Sequence, residues 1–376
     1  MTRVGVIAIV LGALAIAGVA RSGHELPIYP SFYPHVIDIR AVAPEQAADQ
    51  LRQGKIQAYV GRELSFPATP PAEIGTIESL GSFVVVRVNP DSAYAKDDVS
   101  ACGVSKAVVR ALAGDHDLVP HPYPVTPFHG DYLHHADLAV AARARFADGD
   151  AALLADLKIR GSGVLAQRHP TWSADDSEWD AEITEVDAAG IVASALLAVN
   201  GWLAPPWVRT GWFHADRLLA DAVSGDDQKK RVESDLHRLE TYDFSGLVER
   251  INLERDLVAA LTGSCRKIVA GYTVKREYVN VEFSAGIENI GYDSIDGLNS
   301  PMFIRTVKLK DFPWNGWLAL GMPGGAAAAW NPIGGMTDPF GRLMGSAVSD
   351  PALLPSPYEA GWMLNRISDL PTNWER

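Results

Sequence analysis

The chain has 376 residues, of which 47% are hydrophobic and 21% are charged, and its formal net charge is −13. This composition is typical of a globular protein with a substantial core and excludes a largely disordered chain. The excess of acidic residues argues against nucleic acid and anionic lipid as partners, because both bind to basic surfaces.

The first 23 residues have the pattern of an export signal. Met1-Thr2-Arg3 precedes an uncharged apolar run from Val4 to Ala20, and Arg21-Ser22-Gly23 follows it. This order is typical of a secretory signal peptide or of an N-terminal membrane anchor. As a helix the run would span roughly 26 Å, which is long for a signal core and short for a membrane span. We therefore expect the rest of the chain to act in the periplasm or another extracytoplasmic space, either free or tethered.

Motifs of nucleotide-dependent and thiol-dependent chemistry are absent from the sequence. It contains no G-x-G-x-x-G, no P-loop, no G-x-S-x-G and no CxxC. A nucleotide cofactor, a c-type haem and a thioredoxin-like centre therefore lack support, and an enzyme is not favoured. The two cysteines, Cys102 and Cys265, form either one disulfide or two buried free thiols, and the sequence leaves both states open.

The first part of the chain alternates apolar strand patterns with short helical patterns. Pro44 is favourable at the start of a helix and Gly54 at its end, so a helix is predicted between two strands. Such a strand–helix–strand unit builds a parallel sheet through a right-handed crossover. Strands are predicted at residues 36–42, 56–60 and 82–88, and helices at residues 44–53 and 104–112.

The middle of the chain is predicted to be helical, and the last third to return to strands. Helical spacing of apolar residues predicts helices at residues 151–157, 187–199, 212–223, 228–241 and 244–261. Alternation predicts strands of a second sheet at residues 267–283 and 303–309, and a final short helix is predicted at residues 357–367. The acidic run from Asp175 to Glu185 is interpreted as a solvated surface loop, since it lacks the glycine-spaced pattern of a calcium loop.

Two stretches of the first part carry a resemblance to a known family. HVIDIRAVAPEQAADQLRQGKIQAYVG, residues 35–61, resembles the early part of type II periplasmic substrate-binding proteins. SFVVVRVNPDSAYAKDD resembles the segment in which such proteins return a hydrophobic strand that ends in a charged loop. The most similar branch is the phosphonate-type binding proteins of ABC transporters, and the resemblance covers residues 27–115.

The resemblance implies an α/β fold with two lobes and mixed sheets. Loops at the carboxyl ends of strands would line a ligand cleft between the lobes. The expected domains are a signal peptide or anchor at residues 1–23, an α/β lobe at residues 24–160, and an α+β second lobe at residues 161–376. The second lobe is expected to carry a Trp- and Pro-rich C-terminal extension.

Candidate ligand-binding residues lie around the first two predicted strands and in a later histidine-rich segment. An arginine and hydroxyl groups near helix N-termini suit an oxyanion, through paired hydrogen bonds and the helix dipole. The residues predicted to contact a ligand are Tyr33, His35, Tyr59, Arg62, Ser65, His121, Tyr123 and Thr126.

The segment HPYPVTPFHGDYLHHAD, residues 121–137, is the densest set of functional side chains. If a helix begins near Gly130, Asp131 and His135 lie four residues apart on one face. His129, Asp131, His134 and His135 could then supply ligands for Zn²⁺ or Cu²⁺. Two alternatives stay open: Asp131 caps a helix with His135 bonded to it, or the segment contacts a ligand or forms a hinge.

These features favour an exported solute-binding protein that captures a small polar or anionic ligand between two lobes, without a cofactor. An inner-membrane permease or complex would then be its partner. One alternative is a periplasmic metal-dependent or redox accessory protein that uses residues 121–137. Another is a structural subunit of an envelope complex, in which the Trp-rich loops serve as docking surfaces.

Overall fold

The computed structural model describes residues 31–66, 69–163, 169, 171–172, 178–194, 205–327, 329, 335–336, 338–349 and 351–365. The predicted export signal lies outside these residues. In the part of the chain that is described, no helix combines the length and the apolar character needed to cross a membrane.

Strands and helices alternate along most of the chain. The strands are β1 (Val36–Ala41), β2 (Ala58–Tyr59), β3 (Ile74–Val88), β4 (Leu118–Pro120), β5 (Ile159–Gly161), β6 (Ala181–Asp187), β7 (Lys267–Asn280), β8 (Ile287–Glu288), β9 (Lys308–Leu309), β10 (Trp317–Met322), β11 (Leu353–Pro355) and β12 (Trp362–Leu364). The helices are α1 (Pro44–Arg52), α2 (Asp98–Leu112), α3 (Tyr132–Arg145), α4 (Ala151–Asp156), α5 (Ala188–Ser194), α6 (Gly211–Leu219), α7 (Asp226–Glu240), α8 (Leu247–Leu261), α9 (Pro301–Thr306) and α10 (Pro339–Val348). Short 3₁₀ turns lie at Ala93–Ala95, Pro206–Arg209 and Ala220–Ala222.

Within the described residues, one mixed sheet of eight strands has the order β1-β10-β2-β7-β3-β6-β5, and β4 also pairs with β7. β1, β10 and β2 run parallel, whereas β7 is antiparallel to both β2 and β3. The predicted strand–helix–strand unit is present as β1-α1-β2, with Pro44 in the first turn of α1 and Gly54 just beyond its end. The mixed α/β fold is thereby confirmed.

β3 and β7 form the long central pair of this sheet, with 15 and 14 residues. Their register shifts between Leu80 and Phe83, so a β-bulge interrupts the ladder. The backbone N–H of Leu80 leaves the ladder and donates to the carbonyl of Ser294, at 2.7 Å. A Cβ at Gly81 would lie 2.7 Å from Thr273 Oγ1, so glycine permits the close approach of the two strands at this point.

Buried side chains form separate clusters on the two sides of the bulge. We call the elements β1, β2, α1, β8–β12, α9 and α10 the terminal half, and the elements α2–α8 and β4–β6 the inserted half. Two clusters pack mainly in each half. Residues from both sides of the predicted boundary at residue 160, such as Val104 and Ile183, share one cluster. The boundary at residue 160 stays a prediction, and the bulge serves only to describe the two halves of the sheet.

Several predicted elements differ in the structure. The strand after residue 267 is correct, but β7 joins the main sheet and not a second one, because alternation identifies a strand without identifying its partner. Residues 303–309 are mostly helix α9, which begins with a Ser300 side-chain cap and Pro301. In place of the predicted final helix, the described part of residues 357–367 contains strand β12. The end of the predicted acidic loop is strand β6, whose Ala181 and Ile183 are buried.

The C-terminal region and the cysteines complete the fold. Trp317–Met322 is strand β10, between β1 and β2, so part of the Trp-rich region lies inside the main sheet. A separate C-terminal extension is not confirmed. Cys102 on α2 and Cys265 before β7 form a disulfide, which decides between the two states that the sequence left open.

Candidate functional site

A charged cleft of about 460 Å³ lies where the bulge separates the two halves. Its lining comes from the loop after β2, from the β3–β7 pair, from the residue before β4 and from the end of β6. The lining residues are Gly61, Arg62, Glu63, Gly81, Ser82, Asp117, Glu185, Asp187, Thr273, Val274, Lys275 and Arg276. Both halves therefore contribute to this cleft.

The loop after β2 is held in place by a buried carboxylate. Glu277 on β7 is fully buried and accepts hydrogen bonds from the backbone N–H groups of Gly61 and Leu298. Burial raises the pKa of Glu277, while these two N–H groups and the charge of Lys275 lower it. Gly61 has a φ of 91°, a conformation that favours glycine. This anchoring fixes the start of the loop that presents Arg62 at the rim of the cleft.

Positive and negative side chains face the cleft from different directions. Arg62 is exposed, and no described residue forms a hydrogen bond or ion pair with its guanidinium. Arg276 pairs with Glu63 at 3.5 Å and with Glu78 at 3.1 Å. The inserted half contributes only acidic charges to the lining, namely Asp117, Glu185 and Asp187. A solute in the cleft would thus meet the guanidinium of Arg62 next to the Glu63–Arg276 pair, and only carboxylates from the inserted half.

The ladder between β3 and β6 places the acidic wall beside the bulge. Asp187 is the register partner of Ser82, immediately after Gly81. The side chain of Asp187 accepts a hydrogen bond from the N–H of Gly190 at the start of α5, at 2.8 Å. The acidic wall is therefore fixed to the same backbone segment in which the ladder is interrupted.

The structure distributes the predicted ligand-binding residues over three places. Of the five residues around β1 and β2, only Arg62 lines the cleft. Ser65 is exposed in the same loop, outside the lining. Tyr59 is fully buried, its hydroxyl donates to the carbonyl of Val42 at 2.9 Å, and burial raises its pKa.

Tyr33 and His35 lie beside β1, at the edge of the sheet and away from the cleft. The Tyr33 ring contacts the ammonium of Lys308 at 5.1 Å. His35 Nδ1 accepts a hydrogen bond from the N–H of Asn315 at 3.0 Å. Both residues therefore contact the segment that leads from β9 to β10.

His121, Tyr123 and Thr126 belong to a buried polar cluster inside the inserted half. His121 Nε2 bonds to the carbonyl of Val125 at 2.9 Å, and burial lowers the pKa of this imidazole. The N–H of Thr126 donates to His129 Nδ1 at 2.9 Å. The Tyr123 hydroxyl lies 2.9 Å from His135 Nδ1. These residues contact one another and not the cleft.

The same cluster contains a chain of two neutral histidines. Because His129 Nδ1 accepts from a backbone N–H, its Nε2 carries the proton and donates to His214 Nδ1 at 3.1 Å. His214 Nε2 then donates to the carbonyl of Val208 at 3.1 Å. Burial lowers the pKa of His129, and burial lowers that of His214 to about 4. Both ring nitrogens of His129 are thus used within the protein, which leaves this predicted metal ligand without a free nitrogen.

The other three predicted metal ligands lie at the start of α3, beside a residue that sequence reasoning missed. Asp131 and His135, both buried, meet Glu254 of α8, and one ligand atom of each lies within 4.8 Å of the others. His134 Nδ1 lies 3.6 Å from Glu254 Oε2. Helical spacing places Glu254 on the same face of α8 as Leu257 and Leu261. A carboxylate on this apolar face is the signal by which the sequence could have identified Glu254.

One alternative for residues 121–137 was that Asp131 caps a helix. Asp131 does cap a helix, but this helix is α6 and not α3, which follows Asp131 in sequence. The Asp131 carboxylate accepts hydrogen bonds from the backbone N–H groups of Gly211, at 2.9 Å, and Trp212, at 3.3 Å, in the first turn of α6. A Cβ at Gly211 would lie 2.4 Å from Val125 Cγ1, so the packing there accepts only glycine. α3 and α6 are joined at this point.

Comparisons with known proteins give no family for the chain. No protein-family model matches it, and no curated protein matches it. Among solved structures, Haemophilus influenzae OppA in complex with the peptide RPPGFSPFR aligns with a TM-score of 0.39 and 11% identity, over 72% of this chain and 57% of that one.

Two further solved structures align to a similar extent. Helicobacter pylori DppA, an ABC transporter-associated periplasmic binding protein in complex with the peptide STSA, has a TM-score of 0.38 and 11% identity, over 72% of this chain and 56% of that one. Campylobacter jejuni NikZ in complex with Ni(L-His) has a TM-score of 0.34 and 16% identity, over 66% of this chain and 56% of that one. The chain spans little more than half the length of these proteins. Because the TM-scores are below 0.5, these likenesses establish neither a family nor the phosphonate-type branch, which stays a prediction.

Proposed function

We propose that the protein is an extracytoplasmic solute-binding protein whose ligand occupies the charged cleft at the β3–β7 bulge. The observation that carries this proposal is the composition of the cleft, since each half supplies part of its lining and the charges of the two sides differ. Small-molecule sites commonly lie between two packed units and occupy about 300–1,000 Å³. The cleft has such a position and volume.

Two independent features support a location outside the cytoplasm. The sequence begins with the pattern of an export signal. The disulfide between Cys102 and Cys265 is a bond that forms and persists in oxidising compartments. A solute captured there needs a route across the membrane, so a membrane permease is the partner that the proposal includes.

The charges of the cleft favour a small solute that carries both an anionic and a cationic group. Arg62 has no ionic partner among the described residues, so its guanidinium is available for a carboxylate or another oxyanion. Asp187 and Glu185 on the opposite side suit an ammonium group. A free amino acid or a short peptide has this pair of charges, whereas a simple oxyanion would use only one side.

We infer a hinge in the sheet at the bulge, because β3 and β7 are the only described strands that pair in both halves and their ladder is interrupted beside the cleft. The buried pairs of Arg209 with Asp293 and Asp296 join the two halves at another place, so the rotation is expected to be small. A small change of backbone angles at Gly81 would therefore change the distance between Arg62 and the acidic wall. Ligand contacts with both sides would favour the closed arrangement.

The test is a thermal-shift and calorimetric screen of the purified exported protein. The probes are L-amino acids and dipeptides, each with its N-acetylated and C-amidated counterpart, which lack one charge. We expect at least one zwitterion to raise the melting temperature and to bind at least tenfold more tightly than either counterpart. Arg62→Ala should weaken that binding at least tenfold. Arg52→Ala, which removes an exposed arginine of α1 outside the cleft, is the matched control.

Two results would overturn the proposal. One is a screen in which no zwitterion stabilises the protein. The other is a ligand that binds Arg62→Ala as tightly as it binds the wild type, since the ligand would then occupy another place.

A further inference from the structure

A second group of ionisable side chains lies inside the inserted half, away from the cleft. Asp131 and His135 come from the start of α3, and Glu254 comes from α8. Their ligand atoms lie within 4.8 Å of one another, and the exposed fractions are 6%, 0% and 3%. His134 contacts Glu254 from one side, and its side chain is 30% exposed, so the group reaches the surface through this imidazole.

Several polar atoms of this group have no hydrogen-bond partner in the described residues. They are His135 Nε2, His134 Nδ1 and Glu254 Oε2. A buried polar atom without a partner is destabilising, so proteins rarely retain one without a reason. Here three such atoms belong to adjacent side chains and share one location. The group therefore lacks a positively charged or proton-donating species that could contact all of them.

The negative charges of Asp131 and Glu254 are also not balanced by buried positive charges of the described residues. The carboxylates of Asp131 and Glu254 are both buried, and one oxygen of each lies within 4.8 Å of the other. The nearest described cation to Glu254 is Arg250, at 3.3 Å, and its side chain is 36% exposed. A divalent cation between the two carboxylates would neutralise both of them.

The surroundings hold these side chains in fixed orientations. Asp131 is fixed by two N–H groups of α6. With the His135 Nδ1–H donating to the Tyr123 oxygen, Nε2 keeps its lone pair for a ligand bond. A hydrogen bond from the second ring nitrogen to an oxygen is the usual support of a metal-bound histidine.

We propose that Asp131, His134, His135 and Glu254 form a Zn²⁺ site within the inserted half. Two imidazoles and two carboxylates form a four-ligand set that suits tetrahedral zinc, and donor atoms around such an ion lie about 3.3–3.5 Å apart. The spacings of up to 4.8 Å among Asp131, His135 and Glu254 would close by up to about 1.5 Å on binding, and His134, which lies 3.6 Å from Glu254, would move toward the other two ligands. The ion would join α3, α6 and α8, and its role would be structural. The inference does not depend on the ligand of the cleft, because no residue of this group lines the cleft.

The test is a calorimetric titration of the purified exported protein with ZnCl₂ after treatment with EDTA. We expect one zinc ion per chain, bound with a dissociation constant of about 1 μM or tighter, and a higher melting temperature of the loaded protein. Co²⁺ in the same site should give the visible absorption of a four-coordinate ion. His135→Gln and Glu254→Gln should each weaken zinc binding at least 100-fold, and circular dichroism verifies that both variants fold.

A second acid–histidine group on the surface provides the matched control. Asp115, His116 and Asp117 also lie close together, but His116 is 84% exposed. His116→Gln should leave zinc binding unchanged. The proposal is overturned if the EDTA-treated protein binds no zinc, or if binding is lost in His116→Gln and kept in His135→Gln. If neither Gln variant of the buried group folds, Tyr123→Phe, which removes only the supporting oxygen, must weaken zinc binding for the proposal to stand.

Discussion

Arg276 in the cleft and Arg209 in the interior each hold two carboxylates, yet their surroundings differ. Arg276 pairs with Glu63 and Glu78, and its side chain is 38% exposed. Arg209 pairs with Asp293 and Asp296, and its side chain is 11% exposed. In water the first pairs are weak and can exchange partners, as a binding site requires. The second pairs are shielded from water and connect the segment before α6 to the loop that follows β8.

The buried group around Glu254 differs from both arginine centres, because its ionic partners Arg250 and His134 are partly exposed and three of its polar atoms have no hydrogen-bond partner among the described residues. Charged side chains have a different role in each of the three places. The cleft keeps its charges exposed for a ligand, the Arg209 centre uses them to join segments, and the Glu254 group leaves them open to a cation. The predictions below test these distinctions, beginning with the largest expected effect.

Replacement of Arg209 by methionine should destabilise the protein strongly. Arg209→Met leaves Asp293 and Asp296 without their cation, and the loss of one partner of a buried pair costs about 3–5 kcal/mol. Urea unfolding measures the change. Arg276→Met is the matched control and should change the free energy of unfolding by less than about 1 kcal/mol. Equal losses in the two variants would contradict the distinction between buried and exposed pairs.

The contribution of Glu254 to the stability of the metal-free protein should fall as the pH rises above about 6.5. Its pKa is about 8 in the folded protein, above the ordinary value of 4.5, so the folded state binds the extra proton. This contribution is complete below the unfolded pKa and is lost as the pH rises through the folded pKa. We expect a loss of about 1–2 kcal/mol between pH 6.5 and 8.

Glu254→Gln should remove this dependence on pH. Urea unfolding at several pH values, in the presence of EDTA, compares the variant with the wild type. The groups that face Glu254 and share its environment are Asp131, His134, His135 and Arg250. Unfolded histidines titrate near pH 6.5, and burial lowers the pKa of His135 and of three other buried histidines in the folded protein. These groups raise the stability over the same pH interval, and the comparison removes their contribution because both proteins contain them. Parallel profiles for the two proteins would show that Glu254 does not hold the proton.

Arg62→Ala should have the smallest effect on stability, although it should have the largest effect on ligand binding. The side chain is exposed and unpaired among the described residues, so its removal should change the free energy of unfolding by less than about 0.5 kcal/mol. Thermal unfolding without ligand measures this. A loss above about 1 kcal/mol would assign Arg62 a structural role and weaken the case for the cleft.

The sequence predicts those helices and strands that are determined by interactions between residues close in sequence. The β1-α1-β2 unit follows from Pro44, Gly54 and the apolar runs, and each of these signals lies within a few residues of the element it defines. The pairing of strands was not predictable. β10 inserts between β1 and β2, and β7 pairs with β3, because hydrogen bonds between distant segments leave no periodic signal of their own.

In the candidate sites too, the sequence predicts only the residues that have a local signal. Arg62 was predicted from its position after a strand, and it lies in the cleft. Glu185 was assigned to a surface loop and Asp187 to the start of a helix, because both acquire their position only through the ladder with β3. In the buried group, Asp131 and His135 were identified by their spacing within one helix. Glu254 comes from another helix, so no local spacing connects it to Asp131 and His135.

The position of β10 has a consequence for the order in which the chain can fold. β1 and β2 precede the inserted half in sequence, and β10 follows it, yet β10 lies between the two in the sheet. As the chain leaves a ribosome or a translocation channel from its N-terminus, the inserted half can pack before the terminal half has its central strand. The gap between β1 and β2 stays open until Trp317–Met322 emerges. A chain cut short before this strand would retain the elements of the inserted half and lack the strand that pairs with both β1 and β2, the strand before the Arg62 loop.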